Sequence, residues 1–170
     1  MNNDYWINED YIIFKPEFNK SISNYIHVMK NYKKLIFSNY DDYKICISTN
    51  NIYNNNYYKN YKNYKYSEFN QPILNSLNNL TQLQQLTFGY NFDQELNIQT
   101  NVKILKLNCN NRKIIDYLPN SIEELYLGYY FNLELNDLPK SLEKLYLPKN
   151  YNMEIKNINP KCVISKNSKN

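Results

Sequence analysis

The 170-residue chain has no alanine, only two glycines (Gly89 and Gly128) and a single arginine, Arg112. Those scarce residues have GC-rich codons, and the abundant Asn, Lys, Tyr and Ile have AT-rich ones. Much of the bias therefore belongs to the genome, and the Asn and Lys excess is not evidence of function. With so few glycines there is no G-x-G-x-x-G and no P-loop, and H-E-x-x-H is also missing. No apolar run approaches the ~18 residues of a membrane span. No charged segment leads into an apolar one at the start, so no signal peptide is expected. Cys46, Cys109 and Cys162 are odd in number and far apart, and none belongs to a C-x-x-C. That excludes a disulfide framework and the ligand spacing of a zinc site, and points to reduced thiols in an intracellular, cytoplasmic protein.

Catalysis has little to work with. His27 is the only histidine, so any Ser–His–Asp or Cys–His arrangement would have to use it, and nothing around it resembles a nucleophile elbow. It reads as a partly exposed surface residue. Glu123 and Glu124 are adjacent, and on a strand neighbouring side chains face opposite ways. The expectation is a non-enzyme with no catalytic residue, no cofactor and no metal. The formal charge of +4 is modest, and lysine is interleaved with Asp and Glu along the chain. That describes a mixed solvated surface better than a nucleic-acid footprint.

What the chain does have is a repeat. The pattern L-x-x-L-x-[LF] occurs as Leu83, Leu86, Phe88; Val102, Leu105, Leu107; Ile122, Leu125, Leu127; and Leu142, Leu145, Leu147. The central leucines are separated by 19, 20 and 20 residues. A fixed period in this range marks a solenoid, in which each unit buries its apolar face only against its neighbours. L-x-L has the period of a strand, so Leu125 and Leu127 point inward and Tyr126 outward. The fold class expected is mainly β: a short leucine-rich-repeat-like stack of parallel strands with irregular or 3-10 return limbs, about 20 residues per coil.

Other elements recur in order. Asn91, Asn110, Tyr130 and Asn150 follow the strands, where an amide can satisfy the backbone of a neighbouring coil. A five-residue phrase comes next: Phe92-Asp93-Gln94-Glu95-Leu96, Phe131-Asn132-Leu133-Glu134-Leu135 and Tyr151-Asn152-Met153-Glu154-Ile155. It appears upstream as Phe69-Asn70-Gln71-Pro72-Ile73 and Phe18-Asn19-Lys20-Ser21-Ile22. Its ring should fill the interior beside the turn. Leu118-Pro119-Asn120-Ser121 and Leu138-Pro139-Lys140-Ser141 mark return limbs, since proline cannot extend an interior ladder. Leu74, Leu77, Leu80, Leu83 and Leu86 recur every third residue. Such a row drifts ~60° per step on an α-helix. A coil with inward corners and a 3-10 turn fits it better, with a short helix over 74–83 as the alternative.

These phrases, with Leu86-Thr87-Phe88-Gly89 and Leu125-Tyr126-Leu127-Gly128, resemble the FNIP repeat, a leucine-rich-repeat-like unit found in social amoebae and in giant DNA viruses of amoebae. The resemblance covers about residues 69–155, with a weaker copy at 18–40. It implies a protein-interaction module, in the host cytoplasm if the chain is viral. Many members carry an N-terminal F-box, which implies as the alternative function a substrate-recognition adaptor for a ubiquitin ligase whose F-box is unrecognisable or lost. Residues 1–40 lack such an opening; Tyr32-Lys33-Lys34-Leu35-Ile36-Phe37 instead repeats the strand phrase.

The expected organisation is an N-terminal cap with a degenerate first repeat over 1–68, a repeat array over 69–164 and a polar, frayed tail over 165–170. Trp6, Ile7, Ile12, Ile13 and Phe14 are apolar enough to cap the stack. Residues 43–47 suggest one more strand. Residues 53–66 are a Tyr/Asn/Lys-rich insertion. Its Tyr58, Tyr61 and Tyr64, alternating with Lys59, Lys62 and Lys65, carry a second alternative, weak RNA binding by stacking and phosphate contact.

The first choice for function is a protein-binding face on the outward strand positions: Gln85 and Thr87, Ile104 and Lys106, Glu124 and Tyr126, Lys144 and Tyr146, with Lys34 and Ile36 extending the row. Thr87, Lys106, Glu124, Tyr126, Lys144 and Tyr146 form the candidate contact set. The competing reading is that Tyr126 and Tyr146 only stabilise the sheet. The partner expected is a protein met by a monomer, not a nucleic acid or a membrane.

Overall fold

A computed structural model describes residues 4–37, 39, 66–97 and 101–167. The strand expected at 43–47, most of the Tyr/Lys insertion and Cys46 lie outside the described residues.

Short alternating segments form the strands β1 (Tyr5–Ile7), β2 (Tyr11–Phe14), β3 (Lys34–Phe37), β4 (Gln85–Phe88), β5 (Ile104–Leu107), β6 (Glu124–Leu127), β7 (Leu135–Asn136), β8 (Lys144–Pro148), β9 (Ile155–Lys156) and β10 (Val163–Asn167). Eight of them make one sheet in the order β1-β2-β3-β4-β5-β6-β8-β10. Every pair from β2 onward is parallel, and β1 closes the first edge antiparallel to β2. The molecule is a β-solenoid of about 6 turns, with coils about 20 residues apart.

Register follows from burial, because a one-residue slip would turn every leucine outward. Ile12, Leu35, Leu86, Leu105, Leu125 and Leu145 stand side by side in one inward row, each 0% exposed. Phe14, Phe37, Phe88, Leu107, Leu127 and Leu147 form the second inward row, all buried. Leu83, Val102, Ile122 and Leu142, the first residues of the motif, are buried beneath.

The rings of the five-residue phrase fill the interior as expected. Phe18, Phe69, Phe92, Phe131 and Tyr151 are buried. The first half of the stack has an aromatic core: Phe37 lies 3.7 Å from Phe69, and Phe88 lies 3.9 Å from Phe92, with nearly parallel planes. From β5 onward leucines take over the strand row.

The two glycines answer to space. Neither has a positive φ. A Cβ on Gly89 would lie 2.2 Å from Ser67 Cβ, and one on Gly128 2.8 Å from Asn108 Cα. Coils approach so closely after β4 and β6 that no side chain fits.

The return limbs are tight turns. Leu74–Leu77 is a 3-10 helix, and the amides of Leu80 and Leu83 donate to the carbonyls of Leu77 and Leu80. These i→i+3 bonds explain the step of three: Leu77, Leu80, Leu83 and Leu86 all turn inward. Pro119 and Pro139 accept from the amides of Ile122 and Leu142 and start the next rung. A second small sheet, β7 with β9, joins the ends of the last two phrases. Asp137 and Asn157, just after them, take positive φ of 54° and 52°, a conformation short polar side chains tolerate.

Coil-to-coil amide bonds are shifted from the expected position. Asn91 and Asn150 are exposed and make no such bond among the described residues; Asn110 does, its Oδ1 accepting from the Asn132 amide. The repeated contact comes from the phrase's own asparagine. Asn19 Oδ1 accepts from the Asn70 amide and Gln71 Nε2, and Asn70 Oδ1 accepts from the Asp93 amide and Gln94 Nε2. One coil departs further. Asn111 replaces the interior ring, is 1% exposed, and caps a four-residue helix, Arg112–Ile115, by accepting from the Ile114 amide.

Both ends differ from expectation. Trp6 to Phe14 close the N-terminal side, but as a hairpin whose second strand is a true rung. Ile12 and Phe14 face the core, while Ile13 packs with Trp6, Tyr11 and Ile36 on the opposite face of the sheet. Residues 4–37 thus supply further coil; among the described residues of 1–60 there is no three-helix bundle. At the other end β10 pairs with β8 through Asn167, so the polar tail begins as strand.

Candidate functional site

Seven residues in register run along the outward face from β2 to β10: Ile13, Ile36, Thr87, Lys106, Tyr126, Tyr146 and Ser165. Beside them runs Tyr11, Lys34, Gln85, Ile104, Glu124, Lys144 and Val163. The expected extension through Lys34 and Ile36 is in place, because β3 pairs directly with β4.

Five of the six candidate residues form one connected group. The rings of Tyr126 and Tyr146 stack at 4.0 Å with planes 8° from parallel. Lys106 Nζ lies 4.5 Å from the Tyr126 ring centre, so Tyr126 is flanked by a cation and a ring. Lys144 Nζ donates to Glu124 Oε1 at 2.7 Å, and the Tyr126 hydroxyl donates to Glu124 Oε2 at 2.9 Å. Lys144 holds the Glu124 carboxyl below its usual range; burial opposes this and Tyr126 assists it. Burial raises the Tyr126 phenol, and its Tyr146 and Glu124 neighbours raise it further. The group is therefore an ionised carboxylate and a neutral phenol at neutral pH.

Thr87 is set apart from these five. It keeps its place in the outward row yet is only 6% exposed, with Gln85 Nε2 3.5 Å from its hydroxyl. It is a packed spacer between Ile36 and Lys106, where a short β-branched side chain is covered by longer neighbours.

The face is longer than the five-rung strip readable from the repeat. Eight strands at ~4.8 Å span ~34 Å, and four-residue strands are ~13 Å long, giving ~440 Å². That is about half of the ~800 Å² per partner in a standard interface. Its N-terminal end is a packed apolar cluster in which Ile13, 1% exposed, is covered by Trp6, Tyr11 and Ile36, and its C-terminal end carries the tyrosines and charges.

The sequence reading missed a second feature. Tyr66, Tyr90, Tyr129 and Tyr130 meet at the turns after β4 and β6. Tyr66 and Tyr130 are 64 residues apart, and no local pattern signals their contact.

Among the described residues no group of three His, Cys, Asp or Glu could hold a metal, and no helix is long and apolar enough to cross a membrane. His27 is exposed on the helical turn Ile26–Met29. Burial pushes the Cys109 thiol up to about 12, which keeps it from acting as a thiolate nucleophile.

The FNIP Repeat family model matches residues 111–149. That span runs from the buried Asn111 through β6 and β7 to the turn after β8, two successive rungs with their return limb. The chain thus carries an FNIP repeat over residues 111–149. In it, the strand leucines of the FNIP repeat are the inward rows and the phrase aromatics the interior rings. No curated protein and no solved structure shows a significant match to the chain.

Proposed function

We propose that this FNIP repeat protein is a non-enzymatic, intracellular interaction module that binds a protein partner on the outward face of its sheet. The observation that carries the reading is the connected group of Lys106, Glu124, Tyr126, Lys144 and Tyr146 on adjacent rungs. Stacked tyrosines supply contact area with little conformational entropy left to lose, and their hydroxyls supply hydrogen bonds. The paired charges beside them favour a partner surface of mixed sign over one of uniform charge.

The alternative, a substrate-recognition adaptor for a ubiquitin ligase whose F-box is unrecognisable or lost, draws no support from residues 4–37, whose three strands belong to the sheet. The RNA reading rests on residues outside those described.

Affinity capture from the native cell with the wild-type chain and with Tyr126→Ala/Tyr146→Ala, each followed by mass spectrometry, tests the proposal. A specific protein should be enriched by the wild type and lost with the folded double variant. Equal recovery by both would reject the face as the binding surface.

A further inference from the structure

We infer that the open edge of β10 pairs antiparallel with the β10 of a second copy of this chain, about a two-fold axis at Ile164. β10 is the last strand of the eight-stranded sheet, and no strand among the described residues covers it. The register sets Ile164 beside Leu145, in the inward row whose members from Ile12 to Leu145 are 0% exposed, yet Ile164 is 45% exposed. Val163 is 61% exposed. Of the four exposed large non-aromatic hydrophobic side chains among the described residues, three (Met153, Val163 and Ile164) belong to this last coil. The other end of the sheet is closed differently. β1 has only three residues and runs antiparallel to β2, and Asp4 next to it is held by Lys20 and Tyr25. β10 has five residues. A lysine on an edge strand ordinarily deters pairing. Lys166 does not guard this edge, because its Nζ turns back and donates to the Tyr151 carbonyl at 2.7 Å.

A second copy is the occupant because the edge is complementary to itself. The Val163 amide donates to the Glu143 carbonyl. In the alternating ladder Val163, Ser165 and Asn167 therefore bond β8, and Ile164 and Lys166 turn their backbone groups toward the open edge. Inward faces match only if Ile164 meets Ile164 or Lys166 of the copy. Centred on Ile164, the pairing exchanges both Ile164 bonds with the copy and aligns the Lys166 amide with the copy's Cys162 carbonyl. Cys162 offers its carbonyl alone, since its amide donates to Asn159. Val163 then stands opposite Ser165 and Lys161 opposite Asn167, so no like charges face each other. Centring on Lys166 would oppose two lysines, and centring on Ser165 would set Ile164 against Lys166. The Ile164 register instead carries the inward row straight across the axis, from Leu145 and Ile164 to Ile164 and Leu145 of the copy. Such an axis is perpendicular to the sheet, so both outward faces lie on the same side. Two strips of ~440 Å² become one of ~880 Å², which reaches the ~800 Å² of a standard interface. That gain in area rests on the binding face proposed above, whereas the pairing of the edges does not. The dimer departs from the monomer expected of the sequence. An edge this short gives weak association, with a Kd of about 1–100 μM.

The test is sedimentation equilibrium of the full chain at concentrations from about 1 to 500 μM, which brackets that Kd. A reversible monomer–dimer equilibrium is expected. Ile164→Lys places like charges on the axis and should leave only monomer. Cross-linking reads the register without removing the contact. Bonded antiparallel residues have Cα atoms ~5.5 Å apart, within the roughly 4.4–6.8 Å that a disulfide spans. In a chain carrying Cys46→Ser/Cys162→Ser, Ile164→Cys should therefore link to its own copy on mild oxidation. Val163→Cys, which stands opposite Ser165, should link roughly tenfold more slowly. Tyr126→Ala/Tyr146→Ala should dimerise like the wild type, so loss of partner capture and loss of the dimer are separate results. A chain that stays monomeric throughout, growth beyond a dimer, an undiminished dimer in folded Ile164→Lys, or equal cross-linking through Val163→Cys would overturn the proposal.

Discussion

Tyr146 lies face to face with Tyr126 on the next rung, and Lys106 covers the opposite face of Tyr126. The row continues to Ser165, which is too small to cover the remaining face of Tyr146. A cross-strand pair that only held the sheet together would need neither the flanking cation nor the paired charges of Glu124 and Lys144 beside it. Stability and binding can therefore be separated by measurement at this pair.

Removing either ring should cost ~0.5–1.5 kcal/mol beyond lost area, because aromatic pairs couple by about that much. A double-mutant cycle on Tyr126→Ala and Tyr146→Ala, read by chemical denaturation, should return a coupling in this range with cooperative unfolding retained. Additivity of the two single losses would mean that the stacking contributes nothing.

The inward leucines are of another order. Leu125 is 0% exposed between Leu105 and Leu145. Leu125→Ala should destabilise by ~2–5 kcal/mol. The check is a denaturant midpoint; an unshifted one contradicts the inward row.

Gly128→Ala is expected to destabilise by ~1–3 kcal/mol through overpacking, since the new methyl meets the Asn108 backbone. Gly128→Ala/Asn108→Gly should recover little of the loss, because the Leu107 carbonyl oxygen also stands 3.2 Å from the added carbon. Melting temperatures of the two variants decide the matter.

Asn111 Nδ2 donates to the carbonyls of Phe92 and Gln94, and Oδ1 caps the helix that follows. Asn111→Leu restores an apolar side chain at the ring position yet should still lose ~1–3 kcal/mol, as both carbonyls lose their donor. A gain in stability would show that the polar plug is dispensable.

The Tyr25 hydroxyl donates to Asp4 Oδ2 at 2.6 Å, and burial with this carboxylate raises its pKa from 10.0 to about 12. A raised folded-state value means the contribution is whole below pH ~10 and fades as pH climbs toward 12. Asp4 moves the other way. Burial alone would raise its pKa, but hydrogen bonds from Lys20 and Tyr25 outweigh it and lower the value, so its contribution fades on acidification below the usual carboxylate range. Tyr25→Phe should therefore be less stable than the wild type at pH 7, with the gap closing between pH ~10 and 12. Melting temperature against pH, measured on both proteins, tests it.

The stack was legible because its leucines obey one period and its interior rings recur in one phrase. Even the step of three from Leu77 to Leu86 carried its own geometry. The first rung was hidden: Tyr11, Ile12, Ile13 and Phe14 are all apolar, so no alternation distinguishes the two faces of β2, and only pairing with β3 assigns Ile12 inward and Ile13 outward. Thr87 showed its row but not its burial, which depends on longer neighbours from adjacent strands. The tyrosine cluster was invisible for a similar reason. Its members come from coils distant in sequence, and Cys109 and Asn110 reveal the gap they close only when the rungs are stacked.

Asn111 gives the stack a seam. Units built on an interior phenylalanine could trade places by recombination with their strands still aligned. The coil holding a buried amide and a short helix has no equivalent among the described residues, and moving it elsewhere would set an amide among rings. Duplication and loss of units in this lineage should thus spare that coil, leaving it as a fixed marker from which the others are counted.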